Sequence, residues 1–456
     1  MRLQLDRSTR LLAGGAIVLG GRPARMLRLT PAGARLVTAW RHGGRVGDQP
    51  AAVRLARRLI RTGVAHPLPD GGQWTTADVA VVIAARDRAD LLAACLARVG
   101  PAAEVVVVDD GSREPEAIAA VTREGGARVL RQAVTTGPAG ARNAGLTATT
   151  APLVAFVDSD TRPGSGWLDP LLGHFEDAGT AGVAPRIAVP AGRGALAAYE
   201  AVRSPLDLGD VPGSVGPGQP IGYVPAAALV ARREALAQVG GFDPAMRFGE
   251  DVDLVWRLAG AGWSVRYEPS VVVEHPHRVS AGAWLGQRIA YGSSAGPLAR
   301  RHPGRLRHVV VPVWALAPLA LVAAGRPRGA LLASACATAV LAARLPDVPG
   351  ARRQMLALAA GANLRLTQQI LDAAWRAYPP LVLAGALRSH RARRVTRLAL
   401  TASIAVDWVQ RRPRLDPLRF GALRAADDLA YATGVWLGCL RAGTAGPLIP
   451  RVAWAR

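Results

Sequence analysis

Three apolar runs of strand length, Val79–Ala85, the run 105–108 within Glu104 to Ser112 and the run 153–157 that leads to Asp158-Ser159-Asp160, constrain this 456-residue chain more than any other feature. Each is continuously apolar rather than alternating, as a strand buried on both faces of a sheet reads. Helical patterns cover 91–99 and about 115–124, and the short run 127–130 adds a strand. Repeated strand, helix, strand predicts βαβ units, a mostly parallel sheet, and ligands gathered at the carboxyl ends of its strands. The third run delivers Asp158 and Asp160 to such an end, just before the loop Thr161 to Gly166. Two carboxylates there suit a hard divalent cation, which prefers oxygen ligands and can also hold phosphate oxygens. Asp-x-Asp alone is a common surface turn, and its place behind a buried strand argues for a site.

Two further stretches carry chemistry. Gly137-Pro138-Ala139-Gly140-Ala141 turns into a helix bearing Arg142. It lacks the Lys-Ser/Thr of a P-loop and does not follow the first strand, so it is no dinucleotide fingerprint. The planar Arg142 guanidinium nevertheless suits a pyrophosphate or a base edge. Gly249-Glu250-Asp251 opens an amphipathic helix whose apolar positions are Val252, Leu254, Trp256 and Leu258. The helix dipole favours acids there and is expected to lower the Asp251 pKa. Glu274-His275-Pro276-His277 closes a strand at 267–273.

In chain order, Asp87 beyond the first strand, Asp109-Asp110-Gly111-Ser112, Gly-Pro-x-x-x-Arg-Asn, Asp158-Ser159-Asp160 and Gly249-Glu250-Asp251 resemble the inverting family 2 glycosyltransferases of GT-A fold. Over both termini the chain also resembles the glycosyltransferases of mycofactocin biosynthesis. That likeness rests on Arg142-Asn143-Ala144-Gly145-Leu146, Trp167-Leu168 through Gly173-His174-Phe175, Ala184-Pro185-Arg186-Ile187, Tyr199 through Ser204 and Gly249 through Leu254. Ala84 stands where relatives usually carry Pro, a departure that touches only the loop shape. The resemblance implies a Rossmann-like α/β catalytic domain and assigns roles. Asp87, Asp109, Asp110, Arg142 and Asp158 would bind the nucleotide-sugar donor, Asp110 facing uracil or ribose. Asp160, Asp158 and His275, preferred over His277, would hold Mg2+ or Mn2+. Asp251, with Glu250 beside it, would be the general base for the acceptor hydroxyl, and inversion would follow from a single displacement. The implied reaction moves glucose, from UDP-glucose, in β-linkage onto a redox cofactor made from a ribosomal peptide. Two other readings stand beside it: a membrane glycosyltransferase with a lipid or cell-wall acceptor, and a non-catalytic peptide- or nucleic-acid-binding protein on the same scaffold. The intact acids argue against the last. Trp284, Gln287 and Arg288 partly match the Gln-x-x-Arg-Trp motif of processive synthases, but their order and spacing differ.

The flanks complete a three-part organisation: 1–72, 73–305 and 306–456. In the first part, residues 2–6 and 17–19 suggest a hairpin, Thr30-Pro31 starts a helix, and a second helix over 51–62 stops at Gly63. This pattern resembles the winged-helix-type peptide-binding domain of PqqD; a plain accessory domain or a DNA-binding winged helix are the alternatives. The last part alternates apolar stretches at 309–324, 329–343, 355–362, 379–387 and 398–406 with Arg-rich runs. All fall short of the roughly 20 residues a spanning helix needs. A helical module lying in the membrane interface, a few short spans, or a soluble bundle would each read this way. A net charge of +23 calls for an anionic partner. A membrane surface, nucleic acid or a phosphorylated substrate would each satisfy the charge, which does not choose among them. With the apolar and Arg-rich last part we expect an anionic membrane surface and no nucleic acid, placing the protein at the cytoplasmic face of the cell membrane. No cleaved secretory signal is expected, and Cys95, Cys336 and Cys439 read as scattered buried thiols in a reducing compartment.

Overall fold

The computed structural model describes residues 1–21, 25–69, 71–276, 280–343 and 352–453. They fall into two compact units, Met1–Pro190 with Arg203–His277, and Ala191–Val202 with Arg278–Arg456. The helix carrying Trp284 and Arg288 thus packs with the C-terminal helices, whereas the sequence groups it with the catalytic domain. His277 lies outside the described residues.

The first unit opens with strands β1 (Arg2–Leu5), β2 (Arg10–Leu12), β3 (Ile17–Gly20), β4 (Arg25–Arg28), helices α1 (Pro31–Arg41) and α2 (Pro50–Arg61), and β5 (Ala65–Leu68). Both helices form as predicted: the Thr30 hydroxyl accepts from the Gly33 N–H at 3.2 Å, and Gly63 stops α2 in the left-handed region at φ +69°. The expected hairpin does not form. β3 pairs with β2 and β4, while β1 pairs antiparallel with β5. Burying Leu3 against Val18, Val37, Trp40 and Leu59 decides this. The partner strand escapes sequence reading because Pro67 sits inside it, tolerated in a two-stranded edge pairing.

The sheet behind this module is built from β6 (Val79–Ala85), β7 (Glu104–Asp110), β8 (Arg128–Gln132), β9 (Leu153–Asp158), β10 (Arg162–Pro163), β11 (Thr180–Ala188), β12 (Gly213–Val215), β13 (Ala228–Arg232) and β14 (Ser264–Glu274). Helices α3 (Ala89–Val99), α4 (Pro115–Glu124), α5 (Gly137–Thr147), α6 (Asp169–Leu172), α7 (Ala195–Arg203, of the second unit), α8 (Arg233–Val239) and α9 (Glu250–Gly260) alternate with the strands. Among the described residues the order is β10-β14-β11-β13-β9-β6-β7-β8, with β12 beside β14. The strands β8, β7, β6 and β9 are parallel, β13 runs against its neighbours, and β11 and β14 are again parallel. This is a mostly parallel α/β sheet of the GT-A kind, as expected. Its core is aliphatic, from Val81, Ile83, Val107, Ala155 and Val157 to Leu92 and Leu171 on the helices.

The second unit is helical: α7, α10 (Ala281–Ser293), α11 (Ala295–Arg301), α12 (Leu316–Ala323), α13 (Pro327–Ala343), α14 (Arg352–Arg376), α15 (Pro379–Arg388), α16 (His390–Arg411) and α17 (Pro417–Arg441). A two-stranded pair joins β15 (Val310–Pro312) to β16 (Arg451–Ala453). No helix among the described residues is long and apolar enough to cross a membrane. The run 309–324 is not one helix at all: it breaks into β15, a 3-10 turn and the short α12. Spanning helices therefore have no element to carry them there. α10 and α11 meet α17 through glycines: a Cβ on Gly434 would lie 2.1 Å from the Ile289 carbonyl oxygen, and one on Gly296 would lie 2.0 Å from that of Gly438. Arg288 is buried between Glu200 and Asp427, whose carboxylates it bridges. Cys95 and Cys439 are buried as expected, but Cys336 is exposed on α13.

Candidate active site

The sheet's register brings distant acids together. β9 ends at Asp158 opposite Ala84 of β6, and Asp109, one residue before the end of β7, lies opposite Ala85. β10 folds back antiparallel to β14, pairing Arg162 with Glu274, so the 158–161 turn comes to lie beside His275. That turn is tied by the Thr161 N–H and hydroxyl, which donate to the Asp158 carbonyl at 3.0 and 2.8 Å. Asp158, Asp160 and His275 each offer a ligand atom, all within 4.8 Å of one another. His275 Nε2 stands 3.3 Å from Asp160 Oδ1, and Arg88 donates to Asp160 Oδ2 at 2.8 Å. Burial works against protonation of His275, but its bond to Asp160 and the charges of Asp160 and Asp158 hold its pKa above the usual value. Two carboxylates and an imidazole at this spacing fit a divalent cation by number, charge and atom type.

The other expected donor residues hold the loops of this edge. Asp87 sits in the left-handed region at φ +58°, takes the Arg113 N–H on its carboxylate at 2.9 Å and donates its own N–H to the Ser112 hydroxyl at 2.8 Å. Asp109, 1% exposed, caps the turn through the Ser112 N–H at 2.9 Å and pairs with Arg131. Asp110 accepts from the Thr135 hydroxyl at 2.8 Å and from the Thr136 and Gly137 N–H groups at 2.6 and 3.0 Å. Its carboxylate is therefore engaged with the loop that starts α5.

Arg142 departs furthest from expectation. It is 4% exposed, and its two terminal nitrogens donate to Asp158 at 2.7 Å and to Glu250 at 2.8 Å. It lies beneath the site as a bridge rather than open to a pyrophosphate, because α5 packs against β6 and β7 with its Gly145 on Val82. Burial opposes its charge, but the two carboxylates outweigh that and raise its pKa. Its neighbour Asn143 donates to the Phe242 carbonyl at 2.7 Å and accepts the Phe242 N–H at 2.9 Å. Phe242 in turn meets Phe156 of β9 edge to face at 5.0 Å. The Arg-Asn pair thus ties the strand of Asp158 to the segment leading into α9.

Asp251 is the second residue of α9, which Glu250 begins after Gly249 at φ +77°. It remains partly open to the site and accepts the Val252 N–H at 2.8 Å and the Ala226 N–H. Its pKa is not lowered by the helix dipole. Burial, and then the negative charge of Glu250, push it up to about 7, against the lowering by the Val252 and Ala226 N–H groups and by the Arg142 charge. A carboxyl poised there is matched to proton abstraction near neutral pH. Arg88 went unnoticed in the sequence; its position directly after Asp87, at a strand's carboxyl end, is the signal that could have found it.

The description "Glycosyl transferase family 2" matches residues 80–203, and "Glycosyl transferase family group 2" matches 153–404. This chain belongs to the family 2 glycosyltransferases, and the acids just described stand where its matched region lies. Within that family it is 41% identical, over 99% of its own length and 97% of the relative's, to the pre-mycofactocin glycosyltransferase of Mycobacterium tuberculosis. A succinoglycan biosynthesis protein, ExoU, of Rhizobium meliloti is 31% identical over 41% of this chain and 58% of that protein. Among solved structures, a mannosyltransferase from Pyrobaculum calidifontis in complex with GDP-Man and Mn2+ is 18% identical, covering 79% of this chain and 87% of that one, at a TM-score of 0.45.

Proposed function

We propose that this glycosyltransferase moves glucose from UDP-glucose onto pre-mycofactocin by inverting transfer, building a β-linked oligoglucoside. The single observation that carries the division of labour is the pair of acid groups joined by Arg142. Asp158, Asp160 and His275 would hold Mg2+ or Mn2+, which supplies Lewis-acid stabilisation of the leaving diphosphate. Arg88 orients Asp160 through one oxygen and leaves the other turned toward His275. Asp87, Asp109 and Asp110 shape the loops against which the nucleoside lies. Asp251 takes the proton of the acceptor hydroxyl as that oxygen attacks, and Glu250 sets its basicity. Arg142 is a positioning residue that fixes the distance between the two halves. The near full-length identity to the pre-mycofactocin enzyme supports the acceptor. Residues 1–72, with a three-stranded sheet and two helices as a PqqD-like domain would have, support its peptide origin. Exposed Leu331, Leu332, Leu381, Leu387 and Leu398, with exposed Arg388, Arg391, Arg394 and Arg397 among them, support peripheral binding of the second unit to an anionic membrane.

The test is direct incubation of the full chain with pre-mycofactocin, Mn2+ and UDP-glucose, followed by mass spectrometry. Products heavier by whole hexose units, absent with a polyprenyl phosphate acceptor in its place, are expected. Transfer to the lipid and none to the peptide-derived acceptor would favour the lipid or cell-wall reading.

A further inference from the structure

Far from these acids, the first unit holds a cavity of about 840 Å³ between α2 and the amino-terminal end of β14. Arg54, Arg57, Arg58 and Arg61 line it from one helical face, at the i, i+3, i+4, i+7 spacing, while Ala52, Ala56 and Leu59 pack inward. Across from them lies Arg266 of β14, only 5% exposed. Its Nε has no hydrogen-bond partner, and no carboxylate lies within ion-pairing distance of its guanidinium among the described residues. The nearby acids are engaged elsewhere: Asp177 pairs with Arg57 at 3.2 Å, and Glu268 pairs with His174 at 3.2 Å. His174, also lining the cavity, has an unpartnered buried Nδ1. Five guanidinium groups face three carboxylates, those of Asp48, Glu176 and Asp177.

A buried charge without a partner costs several kcal/mol unless something neutralises it. Burial pulls the Arg266 pKa down to about 10 against the more distant charges of Glu268 and Asp177, neither of which forms an ion pair with it, so the group remains charged at neutral pH. The cavity is also distinct from the acid site. Arg266 and His275 lie nine residues apart along one extended strand and its end, roughly 25–30 Å at ~3.3 Å per residue.

We propose that this cavity is a second ligand site, which takes a small organic anion whose phosphate or carboxylate group inserts against Arg266 while its body lies along the arginine face of α2. A guanidinium recognises either group through the same paired N–H geometry. The volume is that of a small-molecule site.

Isothermal titration of the full chain in metal-free Tris, with inorganic pyrophosphate in one arm and citrate in the other, tests this. Saturable 1:1 binding of at least one anion is expected, and the tighter arm identifies the source of the charge. Arg266→Met should weaken it at least tenfold, as should the exposed double variant Arg54→Gln/Arg58→Gln, which decides the matter if Arg266→Met fails to fold. Asp160→Ala should bind as wild type, which separates this site from the acid site. Binding of neither anion, or equal binding by wild type and both cavity variants, would overturn the proposal. So would an equal loss in Arg388→Gln/Arg391→Gln, where only general charge has changed.

Discussion

Asp251 has a pKa set by opposing influences: burial and the charge of Glu250 win over the Val252 and Ala226 N–H donors and Arg142. As a base it acts only when ionised, so transfer should rise with pH through about 7 and level off above it. Glu250→Gln removes a negative charge that raises this pKa and also leaves Arg142 freer to lower it. Both effects have the same sign, so the midpoint of the pH–rate profile should move to lower pH. Asp251→Asn should abolish the rise and slow transfer about 10²–10⁴-fold. Arg142 stakes a different claim. Replacing it with Ala leaves Glu250 and Asp158 without their buried counter-charge, a loss of about 3–5 kcal/mol readable in urea unfolding.

At the scale of elements, α5 is held by close approach: a Cβ on Gly145 would come 2.2 Å from Val82 Cγ1. Gly145→Ala should therefore cost about 1–3 kcal/mol and lower activity by shifting Arg142, whereas Gly126→Ala, with nothing within 4 Å of its Cβ but a left-handed φ of +68°, should cost about 1 kcal/mol at its turn and leave activity unchanged. Gly434→Ala should separate α10 from α17 and lower the melting temperature of the second unit. Strands β6 to β9 and the helices between them were legible because buried parallel strands read as continuous apolar runs, whereas β10 to β13, short or interrupted by Gly and Pro, were not. Asp158 and Asp160 were legible for the same reason, while His275 joined them only through the family resemblance. Other features had no local pattern to read. Arg142 reaches Glu250 across 108 residues, β1 finds β5 across Pro67, and glycines at helix crossings look like any glycines. The Asp251 pKa was misread because the sequence shows the dipole and hides the burial.

At the scale of the molecule, the peripheral membrane binding proposed for the second unit rests on leucines and arginines exposed on α13, α15 and α16. The full chain should co-sediment with vesicles containing phosphatidylglycerol and not with pure phosphatidylcholine, and high salt should release it. Arg391→Glu/Arg394→Glu/Arg397→Glu should remain in solution while keeping its transfer activity. Equal sedimentation of that variant would contradict the surface assigned here.

The central claim is that donor and acceptor chemistry are divided between two acid groups at one sheet edge. Calorimetric titration of UDP-glucose with and without Mn2+ tests it most directly, on wild type, Asp160→Ala and Asp251→Asn. The account predicts metal-dependent donor binding in wild type and in Asp251→Asn, the latter without transfer, and loss of the metal dependence in Asp160→Ala. Donor binding of wild-type, metal-dependent strength in Asp160→Ala would contradict it.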